Sequence, residues 1–96
     1  MQAETEIIAI NTHAIKARIK EIIANVTSID PAAIEDAASF TADLDLDSLS
    51  LLEIGVDVDY EFQLGLPEER MRGIDSVNET AALVEERIRE KRVEVA

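Results

Sequence analysis

Ile15, Ile19, Ile22, Ile23 and Val26 recur at the spacing of one helix face, while Lys16, Arg18, Lys20 and Glu21 occupy the rest of the turn. A stripe this apolar must be buried against other elements of the same chain. Near the other end, Val77, Ala81, Val84 and Ile88 repeat the pattern. There Ser76-Val77-Asn78-Glu79 reads as a capping box, with Ser76 and Glu79 satisfying each other's orphan amides. Arg87 to Arg92 supply the positive charge that suits a helix C-terminus. Two amphipathic helices therefore frame the chain. Aliphatic residues dominate its apolar share, and two prolines and three glycines leave few turn signals for an all-β fold. The expectation is all-α.

The stretch between the framing helices is harder to read. Asn11 or Thr12 caps the first helix, and Asp30-Pro31 ends that segment, because a residue before proline is pushed out of the α region. A long connection then runs to Asp47, with a single turn at Ala32, Ala33 and Ile34 and with Phe40, Leu44 and Leu46 as anchors onto the core. Connections of that length in a small domain usually serve a function. From Ser48 to Phe62, Ile54, Val56, Val58, Tyr60 and Phe62 alternate with Gly55, Asp57, Asp59 and Glu61 as a strand would. Yet Leu51, Ile54, Val58 and Phe62 share one helix face, and Leu49, Leu52 and Val56 share another. No partner strand stands nearby to satisfy an isolated strand's backbone, so helix is preferred. Gly55 costs such a helix interior about 1 kcal/mol and is expected to interrupt it. A short helix opened by Pro67 and closed by Gly73 precedes the last one.

Composition excludes several functions. With no cysteine, disulfides, thiolate-bound zinc and cysteine catalysis are ruled out. No early stretch reads as a secretory signal, and no apolar run is long enough to cross a bilayer, so a cytoplasmic location is expected. The formal charge is −12, and between Lys20 and Arg70 there is no Lys or Arg at all. Such a field repels nucleic acid and anionic membrane and attracts proteins with basic patches. A solvated surface that keeps the protein soluble would look similar in composition.

Asp47-Ser48-Leu49 opens the expected second helix after the long loop. A serine there sits at the positive end of a helix dipole among unpaired amides, which suits a phosphodiester on its oxygen. The same position suits a simple cap. The single histidine, His13, is remote in sequence, and no Lys lies near Ser48 to act as its base. An enzymic serine nucleophile needs such a neighbour, so Ser48 reads as modified rather than catalytic.

The run Ala38-Ser39-Phe40-Thr41-Ala42-Asp43-Leu44-Asp45-Leu46-Asp47-Ser48-Leu49 resembles the attachment region of acyl carrier proteins, which show an acidic-Leu-Gly-x-Asp-Ser-Leu stretch. Glu53 stands where that family has an acid of its second helix. Phe62-Gln63-Leu64-Gly65-Leu66-Pro67 is similar to the family's Phe-Gly-Ile-x-Ile-Pro, and Ile74-Asp75-Ser76-Val77 to the start of its last helix. The spacing holds without a gap from about Ile15 to Ile88. The resemblance implies a four-helix bundle of three main helices and one short one. Its boundaries would be an N-terminal extension at 1–11, a carrier domain at 12–91 and a tail at 92–96.

The same resemblance implies that a holo-carrier synthase, a phosphopantetheinyl transferase, moves 4′-phosphopantetheine from coenzyme A to Ser48, with Asp47 helping to dock it. Glu53, Asp57 and Asp59 would meet basic patches on acyltransferases and ketosynthases, around an apolar centre of Leu49, Val56 and Met71. The carrier would act as a monomer, catalyse nothing and bind no metal. Its sulfur would arrive on the cofactor, and the arm would present its thioester at high effective concentration. Three departures stand out. Asp45 replaces a usual glycine, although Asp tolerates left-handed geometry. Ser50 and Tyr60 replace frequent acids. Asp-Ser-Leu-x-Leu-Leu-Glu, from Asp47 to Glu53, is similar to polyketide-type carriers.

Two rival readings have defined signatures. Asp43-x-Asp45-x-Asp47 opens like a calcium-binding EF-hand loop, which needs glycine at its sixth position and glutamate at its twelfth. Ser48 and Ile54 occupy those places. Peptidyl carriers use the same cofactor but carry Gly-Gly-x-Ser where this chain has Leu46-Asp47-Ser48.

Overall fold

Residues 11–95 are described by the structure, a computed structural model, and the first ten residues of the expected extension lie outside them. The elements run α1 (Thr12–Thr27), a 3-10 turn (Pro31–Ala33), α2 (Ser48–Phe62), α3 (Glu68–Arg72) and α4 (Val77–Val95). There is no strand among the described residues, so the alternation across 48–62 is not a sheet signal. Three long helices and one short one form the expected bundle.

Central to it is α1, which packs against α4, α2 and the 3-10 turn, while α3 leans on α2. Asn11 caps α1, its side chain accepting the Ala14 amide at 3.0 Å. The apolar stripe is buried as the periodicity requires, with Ile15, Ile19, Ile22 and Ile23 meeting Ile54 and Val58 of α2 and Val77, Ala81 and Val84 of α4 in one core. The helix stops at Ser28, whose left-handed φ of 69° turns the chain out while its amide still reaches Ala24 at 2.7 Å.

The long connection is held down at defined points. Phe40 is fully buried, and Leu44 and Leu46 pack against the core beside it. The Phe40 amide donates to the Asp75 carbonyl at 2.7 Å, and the Leu46 amide donates back to the Phe40 carbonyl at 2.9 Å. Asp45 takes a left-handed φ of 58°, the geometry for which glycine is the common choice. A second clamp is electrostatic. Asp36 pairs with Lys20 at 2.7 Å and Lys16 at 3.3 Å, tying the loop to α1.

Asp75 is the third fastening. Its carboxylate accepts the Ser39 hydroxyl, and the Thr41 amide and hydroxyl at 3.1 Å each. These bonds, the Ser39 hydroxyl first, hold its carboxyl below the ordinary range. A depressed carboxyl contributes stability that is complete above the unfolded value of roughly 3.9 and is lost as pH falls through the lower folded value. Asp75→Asn is therefore expected to lower the melting temperature at pH 7 and to flatten the loss of stability below about pH 4. An acid limb as steep as that of the wild type would contradict this role.

Three local expectations need correction. Gly55 does not interrupt α2, which runs unbroken across it. The glycine is buried, with Met71 of α3 packed over it: a Cβ built there would stand 3.7 Å from Met71 Cβ, an ordinary contact distance. The Ser76–Glu79 capping is also not the reciprocal pair expected. Ser76 Oγ accepts the Glu79 amide at 3.1 Å, but Glu79 reaches past Ser76 to the Asp75 amide at 2.7 Å. Finally, Pro67 stands just before α3 rather than within its first turn.

At its far end α4 continues through Arg92 to Val95. Its cations turn back onto the bundle: Arg87 donates to the Leu64 carbonyl at 2.8 Å, and Lys91 donates to the Gln63 carbonyl. These two contacts close the C-terminal end of α2, where Gln63 holds a left-handed φ of 54°. Both ends of α2 are thereby fixed, and its outer face is left to solvent.

Candidate functional site

Asp47, not Ser48, caps α2. Asp47 Oδ1 accepts the Ser50 amide at 2.8 Å, and that backbone bond is the main reason its carboxyl is held low. Ser48 is the first residue of the helix and is exposed. Its hydroxyl makes no hydrogen bond with any described residue, and the amides of Ser48 and Leu49 are likewise without partners among them. Of the two readings open for this serine, the cap falls away. What remains is an accessible oxygen beside free amides at a helix's positive end, the setting that favours an attached phosphate.

Behind Ser48 a cleft of about 790 Å³ opens between α2 and α3. Its walls are mostly apolar: Phe40, Leu51, Leu52, Ile54, Gly55 and Val56 on one side, and Leu66, Met71 and Ile74 on the other. Polar groups enter at Asp59, Glu68 and Arg72. An apolar chain tethered at Ser48 would thus find shelter within reach of its own anchor. Gly55 and Met71 face each other across this space.

Residues expected at a partner surface separate into two groups. Leu49, Glu53, Val56 and Asp57 are exposed along α2, with Leu49 at 65% and Val56 at 58% of full exposure. Met71 is half-buried across the cleft from them. Asp59 is half-buried too and is engaged within the fold. Its Oδ1 accepts the Gly65 amide at 2.7 Å, bracing the turn where Gly65 holds a φ of 65°. Sequence reasoning missed Leu52, 47% exposed, and Tyr60, 81% exposed. Leu52 shares a helix face with Leu49 and could have been found by spacing. Asp43 and Asp47 each spend an oxygen on a local amide, of Ser39 at 2.7 Å and of Ser50 at 2.8 Å, rather than converging on a common point.

Fold and site together place one exposed serine where a long loop meets the start of a helix, beside an apolar cleft. The family model described as the phosphopantetheine attachment site matches residues 17–84, and the chain belongs to that family. Among its relatives is the meromycolate extension acyl carrier protein of Mycobacterium leprae, 36% identical over 77 residues, covering 80% of this chain and 67% of that protein. The protein of the same name from Mycobacterium bovis is 39% identical over 69 residues, or 72% of this chain and 60% of its own length. Polyketide-8 synthase acyl carrier protein 2 of Streptomyces avermitilis is 35% identical over 77 residues, covering 80% of this chain and 88% of that protein. The chain therefore spans about two thirds or less of these mycobacterial relatives.

The residues around Ser48 fit the family's cofactor. An exposed hydroxyl, two free amides and an adjoining apolar cleft accommodate a phosphodiester followed by a long arm. When attached, 4′-phosphopantetheine supplies the terminal thiol that this cysteine-free sequence lacks. No helix among the described residues is long and apolar enough to cross a membrane.

Proposed function

We propose that the chain is an acyl carrier that holds acyl intermediates as thioesters on an arm at Ser48 and delivers them to enzymes of fatty-acid or polyketide synthesis. The observation that carries this reading is the unbonded, exposed Ser48 hydroxyl at the start of α2. In loading, the Ser48 oxygen displaces 3′,5′-adenosine diphosphate from the pyrophosphate of coenzyme A, and its proton leaves to a base of the holo-carrier synthase. Asp47 keeps the helix start rigid while that exchange takes place. The chain itself contributes position and charge, and the chemistry belongs to its partners. A monomer in the cytoplasm meets those requirements, and the polyketide-type run from Asp47 to Glu53 supports a specialised pathway.

Partner enzymes on this reading carry Lys and Arg that face Glu53 and Asp57. Neither carboxylate makes an ion pair among the described residues, so both are available to a partner. Glu53→Lys and Asp57→Lys are expected to slow association with the holo-carrier synthase by about 3–10-fold at low salt, with the difference shrinking at high salt. Stopped-flow association rates would check this. Equal rates for both variants and the wild type at low ionic strength would refute it.

A further inference from the structure

No residue of α3 is buried, yet this short helix and the Leu66 before it form one wall of the cleft of about 790 Å³. Leu66 and Met71 supply the apolar part of that wall, opposite Leu51, Ile54 and Gly55 of α2. Two apolar faces with space between them gain by closing, because contact and lost hydration both favour it. Gly65 and Gly73 flank α3, and a Cβ added at either would meet nothing within 4 Å, so neither flank is crowded. Something other than packing must keep α3 off α2.

Arg70 supplies that restraint by reaching across to α4. Its guanidinium meets Glu90 as a fork, Nη1 donating to Oε1 at 3.1 Å and Nη2 to Oε2 at 3.4 Å. Nη2 also lies 3.6 Å from Glu86 Oε1. Glu90 is itself held, accepting Arg87 Nη1 at 3.3 Å, and Arg87 Nε donates to the Leu64 carbonyl at 2.8 Å. The chain is thus fastened to α4 on both sides of Gly65. A lone exposed ion pair does little, but a two-pronged guanidinium–carboxylate contact within a network does more. Against a five-residue helix with no buried side chain, even a modest restraint decides position.

We propose that Arg70 is a positioning residue for the carried acyl group, holding α3 at the distance from α2 that an apolar chain needs. The occupant is the cargo on the chain's own arm, since Ser48 lines the same cleft as Leu66 and Met71. Without the Arg70 fork, α3 settles towards α2, and the acyl group stays in solvent with its thioester open to attack. Arg70 acts through α3 and is not part of the cleft lining. Arg72, the cation that does line the cleft, pairs within its own helix with Glu68 at 3.5 Å. This inference rests on the acyl-carrier reading and adds to it the residue that sets the width of the shelter.

The test loads full-length wild type, Arg70→Gln and Arg70→Lys with octanoyl- or acetyl-phosphopantetheine, using a phosphopantetheinyl transferase and the matching coenzyme A thioester. Intact mass confirms loading and then follows cleavage of the thioester by hydroxylamine. In the wild type the octanoyl thioester should be cleaved more slowly than the acetyl one, whose acyl group is too short to fill the cleft. Arg70→Gln is expected to load normally and to speed octanoyl cleavage about two- to fivefold, the range of an exposed ion-pair network, with acetyl cleavage unchanged. Arg70→Lys keeps the charge without the fork and should fall between the two. High salt should move the wild type towards Arg70→Gln, for the octanoyl form alone. Equal octanoyl rates in the wild type and Arg70→Gln would overturn the proposal. So would equal acceleration of both thioesters, which marks general loosening, or wild-type octanoyl cleavage as fast as acetyl. A wild type that takes up no arm would overturn the attachment at Ser48 as well, and the mass measurement separates that failure from the others.

Discussion

Replacing Phe40 with alanine is expected to cost about 3–5 kcal/mol, the scale for emptying a fully buried aromatic site. A small domain has roughly 5–15 kcal/mol of stability in all, so this one side chain accounts for a large share. The cost is high here because the ring fills the core between the connection and the helices, while the backbone bonds of residue 40 to Asp75 and Leu46, which alanine would keep, set the path of the loop that delivers Ser48. Phe40→Leu keeps most of the volume and should lose much less, though it leaves a void at the cleft wall. Urea unfolding followed by circular dichroism measures both. A Phe40→Ala midpoint close to that of the wild type would show that the loop is held by its polar clamps alone.

Ser48→Ala is expected to have the opposite profile. It should abolish addition of the phosphopantetheine arm entirely and yet change stability by less than about 0.5 kcal/mol, as surface substitutions do when they break no contact. The reason is the division of labour at the start of α2. Asp47 holds the cap through the Ser50 amide, while the Ser48 hydroxyl bonds to nothing described. Asp47→Ala should therefore lower the melting temperature where Ser48→Ala does not. A thermal melt beside a loading assay separates the two residues. A marked drop in stability for Ser48→Ala would restore the cap reading and weaken the case for an attachment point.

Much of this was legible in the sequence, and the successes share a physical cause. The α1 and α4 stripes are long and periodic, so burial of one face dictates helix whatever the neighbours do. The anchors Phe40, Leu44 and Leu46 were readable because an apolar residue in a long polar connection has few other places to go. Asp45 accepted the left-handed turn that its short polar side chain allows.

The misreadings share a cause as well, because each depended on a contact that local pattern does not show. Gly55 was weighed by helix propensity alone, and nothing nearby in sequence reveals that Met71 packs over it. The bond that Asp59 accepts from the Gly65 amide was hidden too, because it forms only when the chain turns after Gln63. Glu79 bonds the Asp75 amide rather than that of Ser76, a choice made by the path of the chain before the helix. Tyr60 was noted only as a missing acid, and its exposure became visible once both ends of α2 were seen to be fastened. The cleft behind Ser48 is assembled from separate stretches of chain, so no single motif announces it.

Incubating the full chain with coenzyme A and a phosphopantetheinyl transferase, then fragmenting the product in a mass spectrometer, asks most directly whether Ser48 is a point of attachment. The expected product carries the mass of one 4′-phosphopantetheine, on the peptide that contains Ser48 and on that residue's oxygen. An unmodified chain, or an arm found on the half-buried Ser50 instead, would contradict it.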